Sequence, residues 1–382
     1  MRRALVAGAL ANKPCNGGEA WVRLSWILGL RRLGFDVHFV EEIAAGVCVD
    51  SAGRSAEVDA SVNVAYFRDV TDDFGVDATL LCDGMPVTGL DRCALLEVAR
   101  SADLLLNISG HLVDPQLLAA PRRRVFLDID PGFTQAWHAA GDPGARLAGH
   151  DVYASIGERI GEPDCPIPLD GIDWLPTRQP VVLDEWGPPA AGPTRDLTTV
   201  ARWRSAYGAV TIAGTTYGLK HHAFRRIAEL PRLVDRTVEV ALAIDPTDAA
   251  DRATLVDHGW RVVDPAAVAG TPRAFRDFVQ SSAAEISACQ GVYAGTRCGW
   301  ISDRTVRYLA SGRPAIVEDT APRLPAGEGL LTFTTVREAA AAIEEVTRHY
   351  DAHAQAARDL AVRHLDSDRV IGEFLDRAGV GA

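Results

Sequence analysis

Lysine is nearly absent from this 382-residue chain, and arginine carries almost all of its basic charge. Acidic residues outnumber basic ones, 51 to 39, for a formal net charge of −12. That balance argues against general nucleic-acid binding, because phosphate backbones call for clustered Lys and Arg. Cysteine is sparse and scattered: Cys15, Cys48, Cys82, Cys93, Cys165, Cys289 and Cys298 form no C-x-x-C pair. Neither a zinc site nor a redox motif is indicated, and reduced thiols in a cytoplasm are expected. No run approaches the roughly 18 apolar residues of a membrane span. The start MRRALVAGALANKP is basic and then apolar like a signal peptide, but the apolar run is too short and flows into Gly17-Gly18, so it reads as a first strand. The loop after it lacks G-x-G-x-x-G, which disfavours a dehydrogenase.

What is present suits a globular protein. Hydrophobic residues make up 47% and charged residues 24%. The length suits two domains of about 150–200 residues each. Arginine in place of lysine, with abundant Ala, Gly, Val and Asp, reads as a high-GC, bacterial genome.

The first half reads as alternating strands and helices. RALVAGAL (3–10) is a buried strand, 19–33 a helix ended by Gly34, and DVHFVE (36–41) the next strand. A helix over 61–72, a strand over 77–82, a helix over 91–101 and a strand over 103–108 follow. His111 comes just after this last strand, at the end where ligands sit in open parallel sheets. It is a candidate for acid–base work, or a loop histidine satisfying backbone. RVFLD (124–128) is another strand, closed by Asp128-Ile129-Asp130-Pro131-Gly132. Carboxylates at i and i+2 of an extended segment point the same way. Asp128 and Asp130 are read as a catalytic base, an Asp-x-Asp metal site or a turn cap. HDVYASI (150–156) is a further strand. Residues 161–193 are rich in proline, which stiffens linkers and excludes helix, so they read as the interdomain connection.

The second half repeats the pattern, with strands at 197–203, 238–243 and 260–263, helices at 249–258 and 272–281, and a basic segment KHHAFRR opened by Lys220. Its centre is GVYAGTRCGWISDRTVRYLASGRPAIVEDT (291–320). We read 291–294 as a strand, then a loop with Gly295, Arg297 and Gly299. Ser302 and Asp303 are N-cap types for a helix that Gly312 ends, and 315–317 is the next strand. A loop between a strand end and a helix N-terminus favours a phosphate, and Arg297 and Arg304 add forked donors. Glu318 and Asp319 leave the last strand at the edge where sugar or ribose hydroxyls would be met.

This segment resembles the donor-binding segment of GT-B glycosyltransferases, and A-S-G-R-P-A-I-V is similar to the A-x-G-x-P-V-V turn common there. Retaining members often carry paired glutamates in this segment. Gly299 and Arg307 stand at those positions here, which tilts the resemblance toward inversion.

The resemblance implies an α/β protein of two Rossmann-like domains facing a central cleft: residues 1–170 for the acceptor, 171–360 for a nucleotide-sugar donor, and 361–382 as a helix returning to the first domain. It implies transfer of a sugar from a nucleotide diphosphate to a small-molecule acceptor, such as a bacterial specialised metabolite, with no cofactor and no metal. Donor contacts are then expected from Gly295, Arg297, Gly299, Ser302, Asp303, Arg304, Lys220, Glu318 and Asp319. Gly17 and Gly18 are expected at the acceptor or the phosphates, and His111, Asp128 or Asp130 as base. A sugar-nucleotide epimerase or hydrolase on the same frame, and a two-lobed binding protein without catalysis, remain open.

Overall fold

The computed structural model describes residues 2–205 and 207–380. Strands and helices alternate because β-rich apolar runs such as Ala4–Val6 are buried on both faces, as in a parallel sheet covered by helices. The first half forms an eight-stranded sheet in the order Met85–Thr88, Asp77–Cys82, Phe35–Ile43, Arg2–Ala7, Leu104–Ile108, Arg123–Asp128, Val152–Ser155, Trp174–Pro176. All pairings are parallel except that of Met85–Thr88. The second half forms a parallel six-stranded sheet in the order Trp260–Val263, Val238–Ala243, Arg195–Arg202, Ser282–Ser287, Ala315–Glu318, Leu330–Phe333. In each sheet the strand order reverses beside the half's first strand. A crevice for ligand opens at such a switch point, off the carboxyl ends of the strands.

The fold differs from the sequence expectations at two places. Residues 291–294 are not a strand. Gly291–Gly295 is a short helix, and the central strand is Ser282–Ser287, just upstream. Its composition of Ser, Ala and Glu hid it, and a short apolar run cannot be told from a helix by periodicity. The proline-rich stretch is also not all connection: Trp174–Pro176 is the eighth strand of the first sheet, so that sheet extends past residue 170.

The helix Gly17–Arg32 carries large apolar residues around most of its circumference because most of it is covered. Trp21, Leu24, Trp26, Ile27 and Leu30 are fully buried. Trp21 Nε1 donates to the Pro272 carbonyl at 2.8 Å, and its ring packs edge-on to Trp186 at 4.9 Å. One apolar core therefore runs from the first sheet into Pro272–Ser281 and Asp303–Ala310 of the second half. Helix Ser367–Arg377 closes back onto Gly17–Arg32, with Phe374 against Trp26 at 5.1 Å and Asp368 paired to Arg32 at 2.7 Å. Residues 381–382 lie outside the described residues.

Arg307 takes part in the same junction. It is fully buried, donates to Ser25 Oγ at 3.2 Å and lies over the Trp186 ring. A guanidinium tying the halves together thus occupies the position of the second glutamate in the resemblance. Among the described residues, no helix is long and apolar enough to cross a membrane.

Candidate active site

The two switch points face each other across a cavity of about 1150 Å³. The first half contributes the loop Asn12–Asn16, Gly18, Glu19, Ile129 and Asp130. The second contributes the ends of its strands, Lys220, Tyr207, Tyr293, Trp300 and the helix start Ser302–Arg304. Lys13 and Lys220 are the only lysines in the chain, and both line this cavity.

Lys220 opens the helix Lys220–Arg226. Burial pushes its pKa down to about 8, and the neighbouring Arg304 adds to that. Asp303, Glu285 and Cys289 pull the other way through space only. A half-desolvated ammonium beside a second cation is an anion site. Ser302 caps the next helix over, its Oγ accepting from Arg304 N at 3.2 Å, and Asp303 sits in the first turn. That helix start is the positive end of the dipole.

Arg304, at the cavity wall, is held by the protein itself. Its guanidinium pairs with the fully buried Glu285 at 2.6 Å, donates to the Val200 carbonyl at 2.6 Å and bonds Ser287 Oγ. It anchors the helix start to two strands, with each of its three nitrogens already engaged by protein. Arg304→Ala is therefore expected to show as lost stability: it strands a buried carboxylate and costs about 3–5 kcal/mol, read from the urea unfolding midpoint.

Other residues singled out from the sequence stand behind the cavity wall. Glu318 pairs with Arg226 at 2.5 Å and accepts from Cys289 N at 3.0 Å, which fixes the cavity-lining turn at Cys289. Asp319 accepts from Ala321 N at 2.8 Å and lies 3.7 Å from Arg297. Arg297 is half-exposed and also reaches Asp164 of the first half, at 3.8 Å. The glycines of this segment are explained by packing. A β-carbon at Gly295 would meet the Tyr217 ring at 2.4 Å, and one at Gly299 would meet Arg159 Cγ at 2.9 Å.

The two aspartates do not act alike. The strand ends at Asp128, and the chain turns before Asp130, so the period-two argument does not hold there. Asp128 is buried and accepts from Ser155 Oγ (2.6 Å), Thr134 Oγ1 (2.7 Å), Gln135 Nε2 (2.9 Å) and Asp130 N (3.1 Å). With every lone pair engaged, it serves the turn and neither a metal nor an acceptor. Asp130 lines the cavity, and burial pushes its carboxyl up to about 6, with Lys13 holding it down. Its oxygens accept from Tyr293 at 3.0 Å and, more loosely, Tyr207 at 3.5 Å.

His111 follows a turn with Ser109 and Gly110 at positive φ and is not among the residues lining the cavity. Burial, then Arg23, Lys13 and Arg146, hold its pKa down to about 3. Such an imidazole is a poor base at neutral pH. Among the described residues, no three His, Cys, Asp or Glu side chains stand together as metal ligands.

Gly17 is required by a helix contact. A β-carbon there would lie 2.1 Å from the Thr271 carbonyl oxygen, which is backbone and cannot swing away. Gly17→Ala is expected to cost about 1–3 kcal/mol or to part the halves, read by urea unfolding. Gly18 lines the cavity against Phe275.

Sequence reasoning missed Glu41. This buried carboxylate takes the N–H groups of Leu10, Ala11 and Asn12 at 2.7–2.8 Å and shapes the loop in front of the cavity. Burial pushes its pKa up to about 7. Its place in an ordinary strand, with partners thirty residues upstream, gave no local signal.

No family model and no curated protein matches the sequence. Solved structures do match over the whole length. An alpha-glucosyltransferase in complex with UDP and a 13-mer DNA superposes with a TM-score of 0.59 at 10% identity, covering 99% of each chain. Anabaena HepE in complex with UDP-glucose gives 0.59 at 11% identity, covering 99% of this chain and 100% of that one. The apo structure of OtsA gives 0.52 at 11% identity, covering 99% of each. The chain has the GT-B fold, with two Rossmann-like halves meeting at a cleft.

Proposed function

We propose that this chain is a glycosyltransferase that moves a sugar from a nucleotide diphosphate to a hydroxyl of a small-molecule acceptor. The observation that carries the reading is the cavity's polarity. Lys220 and a helix start come from the second half, and Asp130, with Lys13 near it, comes from the first, where two switch points meet. The similar structures solved with UDP or UDP-glucose make a UDP-sugar the first donor to test.

In this reading the nucleoside rests on the apolar strand ends Leu242–Ile244 and Val262–Val263. The diphosphate meets Lys220 and the N-terminus of Asp303–Ala310. Asp130 takes the acceptor proton as the hydroxyl oxygen bonds the anomeric carbon. The bond from that carbon to the phosphate oxygen breaks, and the nucleoside diphosphate leaves with its charge met by Lys220. A base on the acceptor side, and no carboxylate at positions 299 and 307, favour single displacement with inversion. Lys220 and the helix dipole would supply the neutralisation without a metal ion.

The test is to incubate the protein with UDP-, TDP-, GDP- and ADP-sugars, with and without acceptor mixtures, and to follow nucleotide release and product mass. Acceptor-dependent release supports transfer. Release without acceptor means hydrolysis, sugar isomerisation means an epimerase, and neither binding nor turnover of any donor defeats the reading.

A further inference from the structure

Asp130 belongs to the first half, yet both of its side-chain partners come from the second. Tyr293 lies on the short helix Gly291–Gly295, and Tyr207 lies in the segment after strand Arg195–Arg202. We propose that Tyr293 and Tyr207 are positioning residues for Asp130: each hydroxyl holds one carboxylate oxygen, so the acceptor-side base takes its working orientation only when the two halves are in contact. The inference rests on the assignment of Asp130 as base.

The geometry is over-determined on both sides. The Tyr293 ring is buried, stacked on Trp300 at 4.4 Å and edge-on to Phe133 of the first half at 6.1 Å. The Tyr207 ring lies 5.2 Å from Phe133 and 4.8 Å from Trp137. The turn carrying Asp130 is pressed against the second half, since a β-carbon at Gly132 would lie 2.6 Å from Val292 Cγ2. Asp130 N is pinned to Asp128 Oδ1 at 3.1 Å. Rotation of the carboxylate is thus opposed from two directions by neutral donors. A neutral donor orients a carboxylate without quenching its basicity as an ion pair would. The charged groups facing Asp130 are Lys13, Glu19 and Asp128, with Arg23 close to Tyr207.

Tyr293→Phe removes the hydroxyl and keeps the ring. It is expected to lower kcat/KM by about 10- to 100-fold. Nucleoside diphosphate affinity should stay the same. The lost donor favours the protonated carboxyl, so the acid limb of the pH profile moves to higher pH. Tyr207→Phe should do the same to a smaller degree. The ¹³Cγ resonance of Asp130, assigned with Asp130→Asn, gives a readout independent of activity, and its titration midpoint should rise in Tyr293→Phe. A fall in activity with an unmoved midpoint and acid limb would mean a merely structural tyrosine and overturn the proposal, as would unchanged activity in both variants. Full transfer by Asp130→Asn would remove the base assignment. The carboxyl titration alone would then decide whether the tyrosines hold Asp130.

Discussion

Lys220→Ala is expected to lower kcat/KM for glycosyl transfer by about 10²- to 10³-fold, the loss seen when a preorganised group facing developing transition-state charge is removed. Nucleoside diphosphate affinity should fall with it, because the ammonium meets the phosphates in ground and transition states alike. The size of the effect follows from desolvation: Lys220 is held between burial and Arg304, so its charge is poorly screened and its pKa lies near 8. The sign of the pH dependence is fixed by that depression. Below about 8 the lysine is charged and attracts the diphosphate. As pH rises through that value the proton leaves, and affinity should weaken. Lys220→Arg keeps the charge and should restore part of the activity, with the alkaline limb moved beyond the measurable range.

Asp130→Asn is expected to lower the transfer rate by about 10²- to 10⁴-fold, the usual worth of a positioned general base. Nucleoside diphosphate binding should stay unchanged, since the proposed role puts the carboxylate at the acceptor. Asparagine is close to isosteric and still accepts from Tyr293, so the fold should survive. Burial pushes the wild-type carboxyl up to about 6. Activity should therefore fall as the pH drops through that value and Asp130 is protonated. Taken together, the two groups give a bell-shaped kcat/KM profile, with its plateau between about 6 and 8. Asp130→Asn removes the acid limb, and Lys220→Arg removes the alkaline one.

Much of the fold was legible because its periodic signals are local. Asp77–Cys82, Val238–Ala243 and Trp260–Val263 read as strands from their own apolar runs, and Gly312, at φ +66, ends its helix as a C′ glycine should. Ser282–Ser287 escaped because its identity as a strand depends on a partner elsewhere: Glu285 is tolerated at the centre of the sheet only because Arg304 is there. The candidate site was legible in part for the same reason. Lys220, Asp130, Ser302 and Asp303 stand at strand or helix ends, where topology alone sends them toward the cleft. Arg304 has the right residue type at the right end of a helix, yet its fork is taken by Glu285, Ser287 and the Val200 carbonyl. Asp128 and Asp130 look equivalent in sequence, and only the turn at Ile129 separates a buried anchor from a group facing the cavity. Tyr207 and Tyr293 carried no local mark of contact with Asp130, because that contact exists only across the two halves.

The scarcity of lysine makes a diphosphate at Lys220 directly measurable. Reductive methylation with ¹³C-formaldehyde labels only Lys13, Lys220 and the N-terminal amine, and Lys13→Arg and Lys220→Arg assign the signals. The measurement is to titrate this protein with UDP, TDP, GDP and ADP in the presence of EDTA and to follow the Lys220 resonance and its pH midpoint. One nucleoside diphosphate is expected to shift that resonance and to raise the midpoint above about 8, because a bound diphosphate favours the charged amine. A Lys220 resonance that none of the four moves, with EDTA or with Mg²⁺, would rule out a diphosphate site at Lys220.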